Sequence, residues 1–305
     1  MKPSNEFIGA NMTDTILPTL TRVASLPSYQ SQTDSETSLY VSIAGLIQEH
    51  LFYHPKAVIK APTMSDIDKQ SLSMIIESAV DGKTHFIDTL ASEILAHIKE
   101  STTEVKISFS DADSAAFSGL LGGQVETTEA NPIMGVRGVT RFASEASTEQ
   151  FALECAVIKK VMASTSVSVQ IVVPFVRNLS DAATIIDRLA IQGLPRGLNG
   201  LKVHFVCDVP AAALMADKLL QYFDGMVVNV DTLTQFALGV DKQNDALEHH
   251  FDPQNEAVLH LVGHAIQAAK KANKPVVTTI DELAQNPRIQ ELLDQLNATD
   301  VVITA

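Results

Sequence analysis

The sequence predicts an α/β fold of the (β/α)8 TIM-barrel type. Three observations carry that expectation. Eight strand-like runs recur along 305 residues. The stretches between them carry helical periodicity, the signature of βα units and a parallel sheet. The length suits one barrel, and no linker-like segment or composition break divides residues 1–305, so a single domain is expected.

Strands are expected near Phe7–Asn11, Leu39–Ala44, Val105–Phe109, Val169–Phe175, Lys202–Cys207, Met226–Asn229, Pro275–Thr279 and Val301–Thr304. Between the first two, Ser25–Ser38 is rich in Ser, Thr and Gln and reads as an exposed connection. The helix reading is firmest over Gln150–Ala163, where Phe151, Cys155, Ile158 and Val161 or Met162 fall on one stripe. Asp181–Gln192 and Ala211–Phe223 behave similarly. Asn255–Ala272 reads as a long amphipathic helix whose Lys270 and Lys271 suit a helix C-terminus.

Composition narrows the function. Hydrophobic residues make up 46% and charged residues 19%, which is globular. No apolar run reaches the roughly 18 residues of a membrane span. The first residues lack an apolar signal core, so a cytoplasmic location is expected, with Cys155 and Cys207 as buried thiols. A net charge of −14 repels nucleic acid and offers no general attraction to anions. A phosphate site would have to be built locally, from particular arginines or backbone N–H groups. The starting Met fits a stand-alone chain.

In a βα-barrel the chemistry sits at the C-terminal ends of the strands. The segments found there are AGLIQEH (Ala44–His50), ISFSD (Ile107–Asp111), NPIMGVRG (Asn131–Gly138), CDVP (Cys207–Pro210), NVDTLTQ (Asn229–Gln235) and PVVTTID (Pro275–Asp281). Together with Asn199–Asp252 as a whole, they resemble the phosphoenolpyruvate/pyruvate-binding barrel of the phosphoenolpyruvate-utilising enzymes. That family includes phosphoenolpyruvate synthase, pyruvate phosphate dikinase and enzyme I of the sugar phosphotransferase system. The resemblance is strongest from about Ser108 to Asp252.

The resemblance assigns Arg137 to the phosphate of phosphoenolpyruvate, through the bidentate geometry of a guanidinium. It carries Asn131 and Gln235 as substrate-binding positions. Elsewhere this chain departs from the pattern. Gln48 and Ser108 stand where the family has two further arginines, and each loss costs a few kcal/mol of phosphate stabilisation. Asp208 replaces a metal-binding glutamate, while Thr232 replaces the metal-binding aspartate beside Asp231. Mg²⁺ therefore depends on Asp208 and Asp231. Thr279 takes the position of the family's acid cysteine, and its hydroxyl is far too weak an acid for that step. Cys207 is expected to point away from Asp208.

Outside these motifs, Arg177 stands at a strand end, where it either faces the site or makes a surface ion pair, and His249 and His250 read as loop residues. His260 and His264 read as packing residues, having the spacing of a metal pair without the following glutamate of HExxH. Neither a phosphohistidine nor an ATP-grasp segment is recognisable. The implied function is a phosphoenolpyruvate synthase-like barrel, catalytically impaired, with a residual site for phosphoenolpyruvate, pyruvate or a small anion. One alternative is an active Mg²⁺-dependent phosphotransferase or lyase served by a separate phosphohistidine partner, using Asp208, Asp231 and Arg137. Another is a structural or assembly protein. Family barrels often dimerise, so a homodimer is expected.

Overall fold

The computed structural model describes residues 16–28, 37–59, 64–77 and 79–304. Eight parallel strands close into a barrel in sequence order. They are β1 (Thr21–Leu26), β2 (Ser38–Ser42), β3 (Glu104–Ser108), β4 (Ser168–Val173), β5 (Val203–Cys207), β6 (Gly225–Asn229), β7 (Val276–Ile280) and β8 (Asp300–Ile303). The barrel shuts where β1 pairs with β8, in the register Thr21↔Asp300, Arg22↔Val301 and Val23↔Val302.

Seven strands lie where the sequence places them. The first does not. Phe7–Asn11 falls outside the described residues, and β1 is Thr21–Leu26 instead. Its TRVASL sequence mixes small and polar residues, so nothing local marks it. Its strand form comes from being wedged between β2 and β8. Ser25 and Leu26 are therefore buried strand, not exposed connection, and Ser38 opens β2.

The helices at Thr148–Ser164, Leu179–Ile191 and Glu256–Lys271 match expectation within a few residues, the last capped by the Asn255 side chain on the Ala257 N–H. Ala211–Phe223 is not one helix. It divides into Pro210–Leu214 and Ala216–Leu219, because Met215 leaves helical geometry at φ −106°, ψ 12°. Both cysteines are buried and free, and Cys207 packs in the layer between sheet and helices, on the opposite face of its strand from Val206.

Alternate strand residues point inward and form tiers. The middle tier is apolar: Val23, Tyr40, Val172, Val206, Val227, Val277 and Val302 make one cluster. Beneath it lies a polar plug. Lys106 donates to Glu104, whose other oxygen accepts from Gln170 Nε2 at 2.8 Å; Gln170 Oε1 in turn meets His204 Nε2 at 2.7 Å. Burial holds the His204 pKa down at about 4, so the ring is neutral and donates from Nε2. Gly225 is required beside it, since a Cβ there would lie 2.4 Å from His204 Nδ1. Above the valines the strand ends carry Ser25, Ser42, Ser108, Asp208, Asn229 and Thr279, which make the barrel mouth.

Two features set the position of the loops at that mouth. Gly138 has φ +53°, and a Cβ on it would meet the Pro174 carbonyl oxygen and Phe175 Cβ at 2.5 Å. Glu154 is wholly buried and accepts the Ser110 N–H at 2.9 Å, pinning the turn that presents Asp111. Burial pushes its pKa up to about 7.

Gly138→Ala should lower unfolding free energy by about 2 kcal/mol or more in urea titrations, because both conformation and space exclude a side chain. Because Glu154 holds its proton more tightly folded than unfolded, its contribution is complete below about pH 4.5 and fades as pH rises through about 7. Glu154→Gln keeps an acceptor for Ser110 and should flatten the decline in stability between pH 5 and pH 8, as read from urea midpoints.

Candidate functional site

The mouth holds a central cavity of about 300 Å³. Seven hydroxyl-bearing residues line it: Ser25, Ser28, Tyr40, Ser42, Ser108, Thr279 and Thr304. Asn229 adds an amide, while Glu49 and Asp111 add carboxylates; no Lys, Arg or His belongs to the lining among the described residues. Burial pushes the Tyr40 hydroxyl well above its ordinary pKa, so it stays protonated as a donor. Thr279 is 96% buried yet its hydroxyl makes no hydrogen bond among the described residues, its exposure being 4%.

An adjoining cavity of about 200 Å³ shares Asn229 and Thr304 with the first. Arg137 and Lys242 line it, together with Asp113, Asp231, Asp281 and Gln235. Arg137 is held by its own loop. Its Nε donates to the Asp111 carbonyl at 3.0 Å and its Nη1 to the Ile133 carbonyl at 3.2 Å. Its guanidinium lies 4.3 Å from the centre of the Phe175 ring. Arg177 stacks 5.2 Å from the same ring and donates to Thr140 Oγ1 at 3.1 Å. It is thus a loop tie, not a surface ion pair. Deeper in the same loop, Glu126 accepts from His54 Nε2 at 2.7 Å and from Arg141. Burial alone would raise the Glu126 pKa, but these donors outweigh it and bring it to about 2.

The acidic groups are already occupied. Lys242 Nζ lies 3.5 Å from Asp231 Oδ1 and is hydrogen-bonded to Asp281. Asp231 Oδ2 also accepts the Asp281 N–H at 2.9 Å. Burial and the Asp281 charge push the Asp231 pKa up, against the pull of Lys242. Burial opposes the charge on Lys242, but the two carboxylates outweigh it and raise its pKa. Asp208 sits below, 2% exposed, with Oδ2 accepting the Phe175 N–H at 2.7 Å and Oδ1 without a partner among the described residues. Burial pushes its pKa up to about 7 despite that N–H and the nearby Arg137 charge.

As arranged, these groups leave few free oxygens for a hard cation such as Mg²⁺, which is held octahedrally by one or two carboxylates and several waters. Asp208 keeps one unpartnered oxygen, and Asp231 is engaged by Lys242 and a backbone N–H. No group of three or more His, Cys, Asp or Glu is placed to hold a metal among the described residues.

The other expected positions divide. Ser108 and Thr279 line the central cavity, whereas Arg137, Asp231 and Gln235 line the adjoining one. Gln235 Oε1 accepts the Lys242 N–H at 3.0 Å. Gln48 is exposed on a π-helical turn (Ile47–Leu51), and its neighbour Glu49 takes the cavity wall instead. Asn131 is exposed and caps its own turn, its Oδ1 accepting the Met134 N–H at 3.3 Å. His260 and His264 are exposed along a shallow groove with Glu256 and Arg288, so they are not packing residues.

Glu49, Lys242, Asp281 and Thr304 escaped the sequence reading. Strand-end position was the one available signal for Asp281 and Thr304. Lys242 gives none, since its partner Asp281 is 39 residues away.

Residues 48–305 match the family described as PEP-utilising enzyme, PEP-binding domain. The chain is 36% identical over 232 residues to the phosphoenolpyruvate synthase of Pseudomonas aeruginosa, covering 75% of this chain and 29% of that protein. It is 34% identical over 254 residues to that of Deinococcus radiodurans, covering 82% and 33%. With the Escherichia coli synthase it shares 41% over 174 residues, covering 56% and 22%. The chain thus spans no more than a third of the length of these relatives. No helix among the described residues is long and apolar enough to cross a membrane. A closed eight-stranded parallel barrel, the mouth motifs and this match over most of the chain place the protein in the PEP-binding domain family of the PEP-utilising enzymes.

Proposed function

We propose that this barrel has given up phosphoryl transfer and serves as a metal-independent binding module. The observation that carries the reading is the Lys242 ammonium seated between Asp231 and Asp281. Two carboxylates near one another need a cation to remain ionised together. Here a side chain supplies it, so the pair has no use for a divalent ion. The central cavity supports the same conclusion: phosphoenolpyruvate carries several negative charges at neutral pH, yet that cavity offers hydroxyls and two carboxylates. Thr279 cannot deliver a proton in place of a thiol.

A weak small-anion contact at Arg137 belongs to this reading. Its Nη2 donates to no protein acceptor among the described residues, which leaves one edge of the guanidinium for a carboxylate or phosphate oxygen. Asp113, Asp231 and Asp281 line the same cavity and keep such binding weak.

Purified protein mixed with phosphoenolpyruvate, Mg²⁺ and a phosphohistidine carrier should show no turnover above a no-protein control. Titration calorimetry should find phosphoenolpyruvate binding no tighter than about millimolar, weakened further in Arg137→Ala. Turnover that depends on Asp208 or Asp231 would overturn the proposal. Lys242→Met should raise Mn²⁺ affinity at least about tenfold, read by electron paramagnetic resonance, by freeing Asp231 and Asp281 for a hard cation. Tight Mn²⁺ binding by the unmodified protein would count against Lys242 as the resident cation.

A further inference from the structure

The central cavity inverts the charge that a phosphorylated acid requires. A trianionic ligand placed there would face Glu49 and Asp111 with no cation among the lining residues; burial pushes the Asp111 pKa up, and the neighbouring Arg137 charge pulls it back. A small organic cation would find two carboxylates, and a hydroxylated one would find complementary hydroxyls as well. Thr279 is the most telling of these. It is more than nine-tenths buried, lines the cavity, and its hydroxyl lacks any partner among the described residues. A hydroxyl that opens to a cavity and has no protein partner is available to a ligand hydroxyl.

The remaining groups define what fits. Ser25 donates to the Ile303 carbonyl at 3.2 Å, and Ser42 accepts the Gly45 N–H at 3.2 Å; both keep lone pairs or a proton for a further bond. Asn229 spends its Oδ1 on the Thr232 N–H at 3.0 Å and has an amide nitrogen to offer. A volume of about 300 Å³ stands at the small end of ligand pockets, about 300 to 1,000 Å³. It suits a molecule of a few heavy atoms, not a nucleotide.

We infer that the barrel mouth binds a small hydroxylated primary amine, with its ammonium against Glu49 and Asp111 and its hydroxyls toward Thr279, Ser42 and Thr304. The assignment rests on the reading that the mouth has abandoned phosphoryl transfer. It concerns the central cavity, separate from the weak anion contact at Arg137 in the adjoining one. Arg137 donates to the Asp111 backbone, so it positions that carboxylate without filling the cavity.

The test is calorimetric titration of the whole chain with serinol (2-amino-1,3-propanediol), glycerol and phosphoenolpyruvate. The buffer must be free of hydroxylated amines such as Tris. Serinol and glycerol differ by an amine in place of one hydroxyl, so their ratio isolates the charge. A charge-assisted contact should favour serinol by about tenfold or more. Glu49→Gln and Asp111→Asn should each remove most of that preference, while Thr279→Val should weaken serinol and glycerol alike. Glu49 is exposed, so its variant leaves the fold intact. Equal binding of serinol and glycerol, no binding of either, or a preference that survives both carboxylate variants would overturn the inference. Phosphoenolpyruvate turnover in the separate assay would overturn the proposed function on different grounds, and the serinol result would still report on this cavity.

Discussion

Closure of the sheet, made by the pairing of β1 with β8, is the constraint from which the rest of the molecule follows. Once eight parallel strands form a ring, alternate residues are forced inward, and each inward position belongs to one tier. The valine tier then separates two polar regions of different character. Below it, Lys106, Glu104, Gln170 and His204 neutralise and satisfy one another. Above it, the strand-end groups are partly unsatisfied and open to a cavity. Polar groups that satisfy each other add specificity to a core; polar groups left facing a cavity are available to a ligand.

The mouth is set by backbone contacts on which its charged groups are then arranged. Gly138 lets the Arg137 loop approach Pro174 and Phe175, and Phe175 has a guanidinium stacked on it. Glu126 ties His54 to Arg141 under the same loop. These contacts preserve backbone positions. Among the charged groups around them, Lys242 pairs with the two outer carboxylates, and burial pushes the Asp208 pKa up to about 7.

The extent to which this was legible in the sequence differs by element. Seven strands declared themselves because each is a short run bounded by helical or turn-forming segments. Thr21–Leu26 did not, since its strand form depends on neighbours at both ends of the chain. The single helix expected over Ala211–Phe223 was broken at Met215, a packing outcome that periodicity does not encode. Among site residues, Arg137, Ser108, Thr279, Asp231 and Gln235 were found by motif and do line the mouth. Gln48 and Asn131 were found by motif and do not, because a π-helical turn and a local cap direct them elsewhere.

By itself the sequence determined the barrel and the residues carried at the strand ends that reach the mouth. Those follow from residue identity and from a period of two along each strand, which are local properties. Only the tertiary structure decided what the remaining charges do. Lys242 meets Asp231 and Asp281, Arg137 stacks on Phe175, and Glu49 replaces Gln48 at the cavity wall. Each of these depends on loops from different strands converging above one ring, and electrostatic interaction depends on distance in space, which order along the chain does not specify.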